Sequence, residues 1–556
     1  MPAELNGAQA MLRTLVDAGV RVCFTNPGTS EMHFVAALDT VPEMRAVLTL
    51  FEGVASGAAD GYARMADKPA ATLLHLGCGL GNALANLHNA RKGRVPVVNI
   101  VGDHATHHVQ YDAQLQSDIE TVARNVSRWV RTSSRTSALC DDVVEAVATS
   151  MGPPGQVVTL ILPADVSWGE GGVPRAPRAP EPAPRASDDT VAAIAKVLQG
   201  PGKKAFLLGA RALREPALMA VARVAAHTGA TLLSEVFPAR IERGAGLPHV
   251  ERIAYLAELA SVQLADIEHL ILVDAKAPVS FFAYPGKKSY LVPDTCEVHV
   301  LASFAQDARG SLDALCHRLG ADQAQPVLQA PLRPERPRGK LTAEKVCKAI
   351  GYLLPERAII VDEAQTSGVM LPKFTAGAPR HDVITLTGGA IGQGLPAAVG
   401  AAIACSDRPV IALAGDGSAM YTIQALWTMA RERLNVVSIV FNNRSYAILN
   451  VELQRVGAAA TDEGSKAKSQ LDLGNPGLDF VQMGLGMGVP SVRATTVDEF
   501  LAAFDRALAT PGPHLIEVVV PSAIAGLKLR VLPYVLKSLG RLPQPLARML
   551  KKKIAP

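Results

Sequence analysis

Short apolar runs alternate with amphipathic helical stretches along the chain, and the alternation falls into three blocks. In the first block, AATLLHL (70–76) and VPVVNIVG (95–102) read as buried strands around a helix at GNALANLHNAR (81–91). In the second, KAFLLG (204–209) and HLILVD (269–274) are strands, and PALMAVARVAAHTG (216–229) is a helix. In the third, RPVIALAGDG (408–417) and VVSIVFNN (436–443) flank a helix at YTIQALWTMARE (421–432). Strand–helix–strand succession implies right-handed crossovers and parallel pairing. The expected fold class is α/β, with three doubly wound parallel-sheet domains. Two proline-rich stretches without apolar periodicity, around 168–188 and 325–339, read as extended linkers. They divide the chain into domains at 1–172, 188–325 and 340–521 and a tail at 522–556.

Bulk properties remove several function classes. A chain of 556 residues is too long for one core. The formal charge of +4 and an aromatic content of 4% provide neither a basic footprint nor stacking platforms, so nucleic acid is not an expected partner. Seven dispersed cysteines form no CxxC pair, which argues for a reducing compartment. The amino-terminal residues carry no signal-peptide pattern and no run is long enough for a membrane span, so the expected location is cytoplasmic. The tail, LKLRVLPYVLKSLGRL followed by LARMLKKKIAP, is basic and apolar. It could lie on a membrane surface or fold over a pocket, and prolines 533, 543 and 545 should break it into short pieces.

The chemistry concentrates where strands end. Gly415-Asp416-Gly417-Ser418 closes one strand of the third block, and Asn443 closes the next. Ligands of open α/β sheets bind beyond such ends. A carboxylate and an amide oxygen from adjacent strand ends suit Mg2+, which completes its octahedron with diphosphate oxygens and water. A strand–turn–helix connection with Asp416 as a cap would explain the same residues without a ligand.

GDGS…NN followed by Ser445-Tyr446 resembles the cofactor motif of the thiamine-diphosphate enzymes, and the similarity extends along the whole chain. The resemblance implies a pyrimidine-binding, a central and a diphosphate-binding domain. It makes Asp416, Asn443 and the Ser445 carbonyl the Mg2+ ligands, with Gly415, Gly417, Ser418, Tyr446 and Thr366 around the diphosphate. Gly389, in TGGAIGQGLP, would offer its carbonyl to the aminopyrimidine, and Ile391 would wedge beneath the cofactor. In the first block, Glu52 sits in the apolar run Leu50-Phe51-Glu52-Gly53-Val54-Ala55. A carboxyl buried there is disfavoured in its charged form and can share a proton with a ring nitrogen. A helix N-terminal acid held by the dipole is the structural alternative. The pattern continuing into Ala-Asp-Gly-Tyr-Ala-Arg resembles that of the family's activating glutamate. The same resemblance implies a homodimer or homotetramer with active sites between subunits.

Two subfamilies compete. Asp112-Ala113…Asp118 and overall length resemble acetolactate synthase large subunits. However, Gln114-Leu115-Gln116, Arg128 and Glu452 depart from that pattern, which counts against acetolactate synthesis and the FAD that accompanies it. Asn26-Pro27-Gly28-Thr29 and His75 resemble the substrate-binding hydroxyl and active-site histidine of benzoylformate decarboxylase. By that similarity Glu52, His75 and Thr29 are catalytic, and Ile448, Leu449 and Glu452 line the substrate pocket. The implied activity is decarboxylation of a 2-oxo acid with aldehyde release or carboligation. A 2-hydroxyacyl-CoA lyase, using Lys287-Lys288 at a CoA phosphate, and a silent scaffold relative are the alternatives. Gly77-Cys78-Gly79-Leu80-Gly81 lacks dinucleotide-fingerprint spacing. His104, His107 and His108 lack a completing carboxylate or cysteine for zinc at helical spacing.

Overall fold

The computed structural model describes residues 4–456, 465–522, 526–539 and 542–554. Three predominantly parallel sheets form. The first contains β1 (Val22–Asn26), β2 (Arg45–Leu48), β3 (Ala70–Leu74), β4 (Val97–Asp103), β5 (Trp129–Thr132) and β6 (Val157–Pro163), in the order β2-β1-β3-β4-β6-β5. The central block supplies β7 (Lys204–Leu208), β8 (Thr231–Ser234), β9 (Ile241–Arg243), β10 (Glu251–Arg252), β11 (His269–Val273) and β12 (Glu297–Ala302). Five of these form the order β10-β8-β7-β11-β12. The last block adds β13 (Ile359–Glu363), β14 (His381–Thr385), β15 (Val410–Gly415), β16 (Val436–Asn442), β17 (Ser491–Ala494) and β18 (His514–Val519). Their order is β17-β18-β16-β15-β13-β14-β9.

The sheets are less separate than the blocks suggest. β9 leaves the central block and pairs antiparallel with β14, the one antiparallel pairing among the named strands. Three residues with only Ile241 buried make too faint a period for sequence to reveal. Each sheet also reverses its winding. The chain runs outward from β1 to β2, then returns to place β3 on the other side of β1. β7 and β11, and β13 and β15, flank equivalent reversals. At these reversals, helices leave opposite faces and open a crevice beyond the strand ends.

The first and third sheets meet through two helices. Gly394–Ala404 is apolar all round and buried from Gly394 to Ile403, as expected of a helix covered on every side. It packs against Glu52–Ala66 at a spacing only small residues permit. A Cβ on Gly61 would sit 2.1 Å from the Ala397 carbonyl oxygen, and one on Gly400 1.9 Å from that of Ala58. The seam also carries a charge. Arg64 forks both Asp60 oxygens at 2.8 Å and donates to the Thr385 and Ala239 carbonyls. Burial pushes the Asp60 carboxyl up, while Arg64 and a hydrogen bond from Gln393 pull it back. The bidentate fork favours an ionised pair.

Two expectations shift. Where one helix was expected at 421–432, a single turn, Asp416–Ala419, starts at the end of β15 and the longer helix is Ala425–Arg431. The tail forms the helices Gly526–Leu539 and Gln544–Ile554, and Pro533 does not end the first. Leu536, Leu539 and Ala547 pack with Ala254, Leu259 and Val262 of the central block, and Lys551 bonds Glu251 at 2.7 Å. No described helix is long and apolar enough to cross a membrane.

Gly400→Ala should destabilise the chain by ~3 kcal/mol, because backbone faces the added methyl. Gly486→Ala, with nothing within 4 Å, should change little. Thermal and denaturant unfolding of both variants checks the contrast.

Candidate active site

The crevice between β1 and β3 collects a histidine, a hydroxyl and a buried acid. His75 follows β3 directly, and Leu76 turns the chain with a left-handed φ of 54°. Gly28 allows the imidazole to lie against the β1 loop, since a Cβ there would be 2.3 Å from His75 Nδ1. Nδ1 lies 2.9 Å from Glu31 Oε2 and 3.3 Å from Ser30 Oγ. Glu31 is 1% exposed and also accepts the Gly28 N–H and the Ser30 hydroxyl, both at 2.7 Å. With a carboxylate on Nδ1, the neutral ring carries its proton there and leaves Nε2 as the free lone pair. Thr29 is exposed and opens the 3-10 turn Thr29–Glu31; its neighbour Ser30 is the hydroxyl nearest the ring. Neither Ser30 nor Glu31 stood out in sequence. Glu31 precedes a short helix, Met32–Ala37, and reads as an ordinary first-turn acid.

Glu52 is the first residue of its helix and 6% exposed. Asn82 Nδ2 donates to its Oε2 at 3.0 Å, and a Cβ on Gly79 would come within 3.0 Å of its Oε1. The glycine-rich start of the helix Leu76–Gly93 therefore packs around a carboxyl group. Cys78 is an exposed free thiol.

At the β13/β15 crevice, Asp416 Oδ1 accepts the Gly417 N–H at 2.9 Å. Its Oδ2 accepts those of Asn443 at 3.0 Å and Arg444 at 2.6 Å. Burial pushes this carboxyl up, and the backbone N–H groups of Gly417, Arg444, Asn443 and Ser445 pull it down. Asn443 Oδ1 is buried without a hydrogen-bond partner. Such orphaned acceptors are rare, and a carboxylate beside a free amide oxygen fits a hard divalent cation. Gly415 precedes the single turn carrying buried Gly417 and Ser418, while Ser445 and half-buried Tyr446 follow the Asn443 strand. Thr366 lies in the 3-10 turn Gln365–Ser367 after β13. Gln365 and Arg444 have φ of 50° and 58°, so three candidate residues, His75, Thr366 and Asn443, each adjoin a left-handed non-glycine residue. Strain of this kind persists where surroundings enforce it and gathers at functional sites.

The 387–393 loop, with Gly389 at φ 77° and half-buried Ile391, is held from two sides. Glu363 accepts the N–H groups of Gly392 (2.7 Å), Gln393 (3.2 Å) and Gly394 (2.8 Å). From the first sheet, Asn89 exchanges two hydrogen bonds with Ala390. Asn86 Nδ2 donates to Gly53 O at 2.8 Å and Gly392 O at 3.2 Å. Asn86 thus links the backbone beside Glu52 to the backbone beside Ile391. No hydrogen bond or ion pair among the described residues joins Glu52 or His75 to Asp416 or Asn443.

Further out, Ile448 is half-buried and Leu449 exposed on the helix Ala447–Arg455. Glu452 accepts from Tyr284 Oη at 2.5 Å and pairs with Arg455 at 3.2 Å. Lys287 is engaged by Glu258 and Lys288 by Asp294. The rings of His104 and His108 are 5.3 Å apart, and among the described residues they join no carboxylate or cysteine in a ligand cluster.

Burial pushes Glu363 up to about 7 from the ordinary 4.5. The folded chain holds that proton more tightly than the unfolded chain. This stabilisation is complete below pH ~4.5 and is lost as pH rises through about 7. Glu363→Gln cannot titrate, so the wild-type Tm should fall relative to that variant between pH ~5 and ~8. Glu363→Ala should lose about 3 kcal/mol through stranded N–H groups. Thermal unfolding across pH measures both.

Residues 5–123 match the N-terminal TPP binding domain of the thiamine pyrophosphate enzymes, and residues 365–518 match the C-terminal TPP binding domain. The chain is 56% identical over 524 residues to a Mycobacterium tuberculosis protein provisionally named acetolactate synthase large subunit IlvX, covering 94% of this chain and 100% of that one. It is 30% identical to a benzoylformate decarboxylase of Pseudomonas aeruginosa, covering 90% and 96%. Its fold is similar to that of a 4-hydroxybenzoylformate decarboxylase from Rhodococcus jostii RHA1, with a TM-score of 0.80, 24% identity, and coverage of 93% and 99%.

Proposed function

The chain belongs to the thiamine pyrophosphate enzymes, and from that premise we propose that it is a thiamine-diphosphate- and Mg2+-dependent lyase or carboligase acting on a 2-oxo acid. The observation carrying this reading is the orphaned Asn443 Oδ1 beside the Asp416 carboxylate at a sheet reversal. Asp416, Asn443 and the Ser445 carbonyl would hold Mg2+. Gly415, Gly417, Ser418, Thr366 and Tyr446 would surround the diphosphate, while Gly389 and Ile391 would hold the pyrimidine end. When bound, the cofactor supplies a nucleophilic carbon and an electron sink for chemistry beside a carbonyl.

The chain's own residues divide the remaining work. Glu52 would exchange a proton with the pyrimidine ring, with Asn82 fixing Oε2 and Oε1 left for that contact. His75 is oriented through Nδ1 by Glu31, so Nε2 can give or take a proton at the reacting carbon. Thr29 offers its hydroxyl to a substrate carboxylate, while the Ser30 hydroxyl, donated to Glu31, helps hold that acid beside His75. Ile448 and Leu449 form the apolar wall. Glu452 acts there through its bonds to Tyr284 and Arg455, which compensate its charge.

The oriented histidine favours a benzoylformate decarboxylase-like reaction with aldehyde release. FAD is left out of this reading, because Gln114-Leu115-Gln116, Arg128 and Glu452 depart from the pattern of the subfamily that carries it. Lys287 and Lys288 are engaged by acids, and we do not assign them a CoA phosphate. Exposed Leu50, Met420 and Tyr421 near the two crevices favour a second copy covering them. We place the activity in the cytoplasm as a homodimer or homotetramer.

Purified protein supplied with cofactor, Mg2+ and a panel of aryl and alkyl 2-oxo acids should release CO2 and an aldehyde. Absence of both turnover and cofactor binding would overturn the reading. Glu52→Gln should lower kcat ~10²-fold or more while sparing cofactor affinity. Chelation should abolish activity and added Mg2+ restore it, whereas Asp416→Ala should not be rescued.

A further inference from the structure

Away from the candidate active site, the start of the central sheet's edge gathers three metal-binding side chains. β11 begins at His269 and edge strand β12 at Glu297; their register pairs His269 with Glu297 and Ile271 with His299. Alternate residues of a strand share a face, so His269, Glu297 and His299 lie together. His269 Nδ1 and His299 Nε2 are 3.2 Å apart. Glu297 Oε2 is 3.6 Å from the first nitrogen and 3.7 Å from the second.

The nearest point equidistant from three atoms so spaced, in their own plane, lies about 2.0 Å from each, the bond length of zinc to imidazole nitrogen or carboxylate oxygen. One N–H···N hydrogen bond between neutral imidazoles would explain the histidine spacing. It does not explain why a 72% exposed glutamate side chain converges on the same two nitrogens. Two imidazoles and a carboxylate suit Zn2+ and its neighbours, whereas Mg2+ and Ca2+ prefer all-oxygen sites.

We propose that His269, His299 and Glu297 form a Zn2+ site on the edge of the central sheet, with three protein ligands and a fourth position open to solvent. Such an ion would clip β12 to β11. The site shares no residue with the Asp416–Asn443 crevice and does not rest on the proposed reaction.

The test uses untagged, chelator-stripped full-length protein with Mg2+ in excess, titrated with Zn2+ and separately with Co2+. Wild-type protein should bind one Zn2+ per chain, and Co2+ should produce visible absorption bands of a low-coordinate site. His299→Ala and Glu297→Gln should each weaken Zn2+ binding by ~10-fold or more, while Asp416→Ala leaves it unchanged. Equal Zn2+ uptake by wild type and both site variants would overturn the proposal. So would no uptake by wild type at about 100 µM Zn2+, leaving only a hydrogen-bonded histidine pair.

Discussion

The contact between the Glu52–Ala66 and Gly394–Ala404 helices governs the arrangement of everything else. Each helix follows a candidate site element, one starting at Glu52 and the other leaving the 387–393 loop. Glycines at 61 and 400 let the two backbones approach within the width of a side chain. Interiors pack like crystals, so such a seam transmits position with little slack. The Asp60–Arg64 pair lies in the same seam and reaches carbonyls of the central and third blocks. Charges this deeply buried persist because their partners are complete. Removing one partner leaves the other desolvated and alone, at a cost of roughly 3–5 kcal/mol.

The three reversals of strand order have different fates. In the first sheet, the crevice holds the Glu31–His75 pair. In the third, it holds Asp416 and an amide oxygen with no protein partner. In the central sheet, Arg94 from the first block lies over Phe304 between strand ends bearing acids. The same topology therefore presents different chemical groups at each reversal, according to the side chains that end each strand.

Much of this organisation was legible because it rests on local periodicity. Runs such as VVSIVFNN and HLILVD are too short and too apolar for half-exposed strands, and parallel sheets followed from their spacing by helices. Asp416 and Asn443 could be expected as neighbours since each ends a strand, and the Asn443 N–H does bond Asp416. Glu31 could not be found this way. Its importance comes from burial beneath His75, 44 positions away, and nothing in its immediate sequence distinguishes it from a solvated helix-start acid. Glu363 was hidden similarly: its three N–H donors come from a loop about thirty positions on.

By itself, the sequence determined the α/β class, the strand-end positions of the candidate residues and the family they resemble. Those properties depend on side-chain spacing along the chain, which folding does not alter. Tertiary structure decided which residues meet across sheets. It placed Ser30 and Glu31 on His75, Asn86 between Gly53 and Gly392, Tyr284 on Glu452, and β9 on the edge of a sheet built by another block. These meetings depend on crossover handedness, helix approach distance and loop path, and no local pattern encodes them.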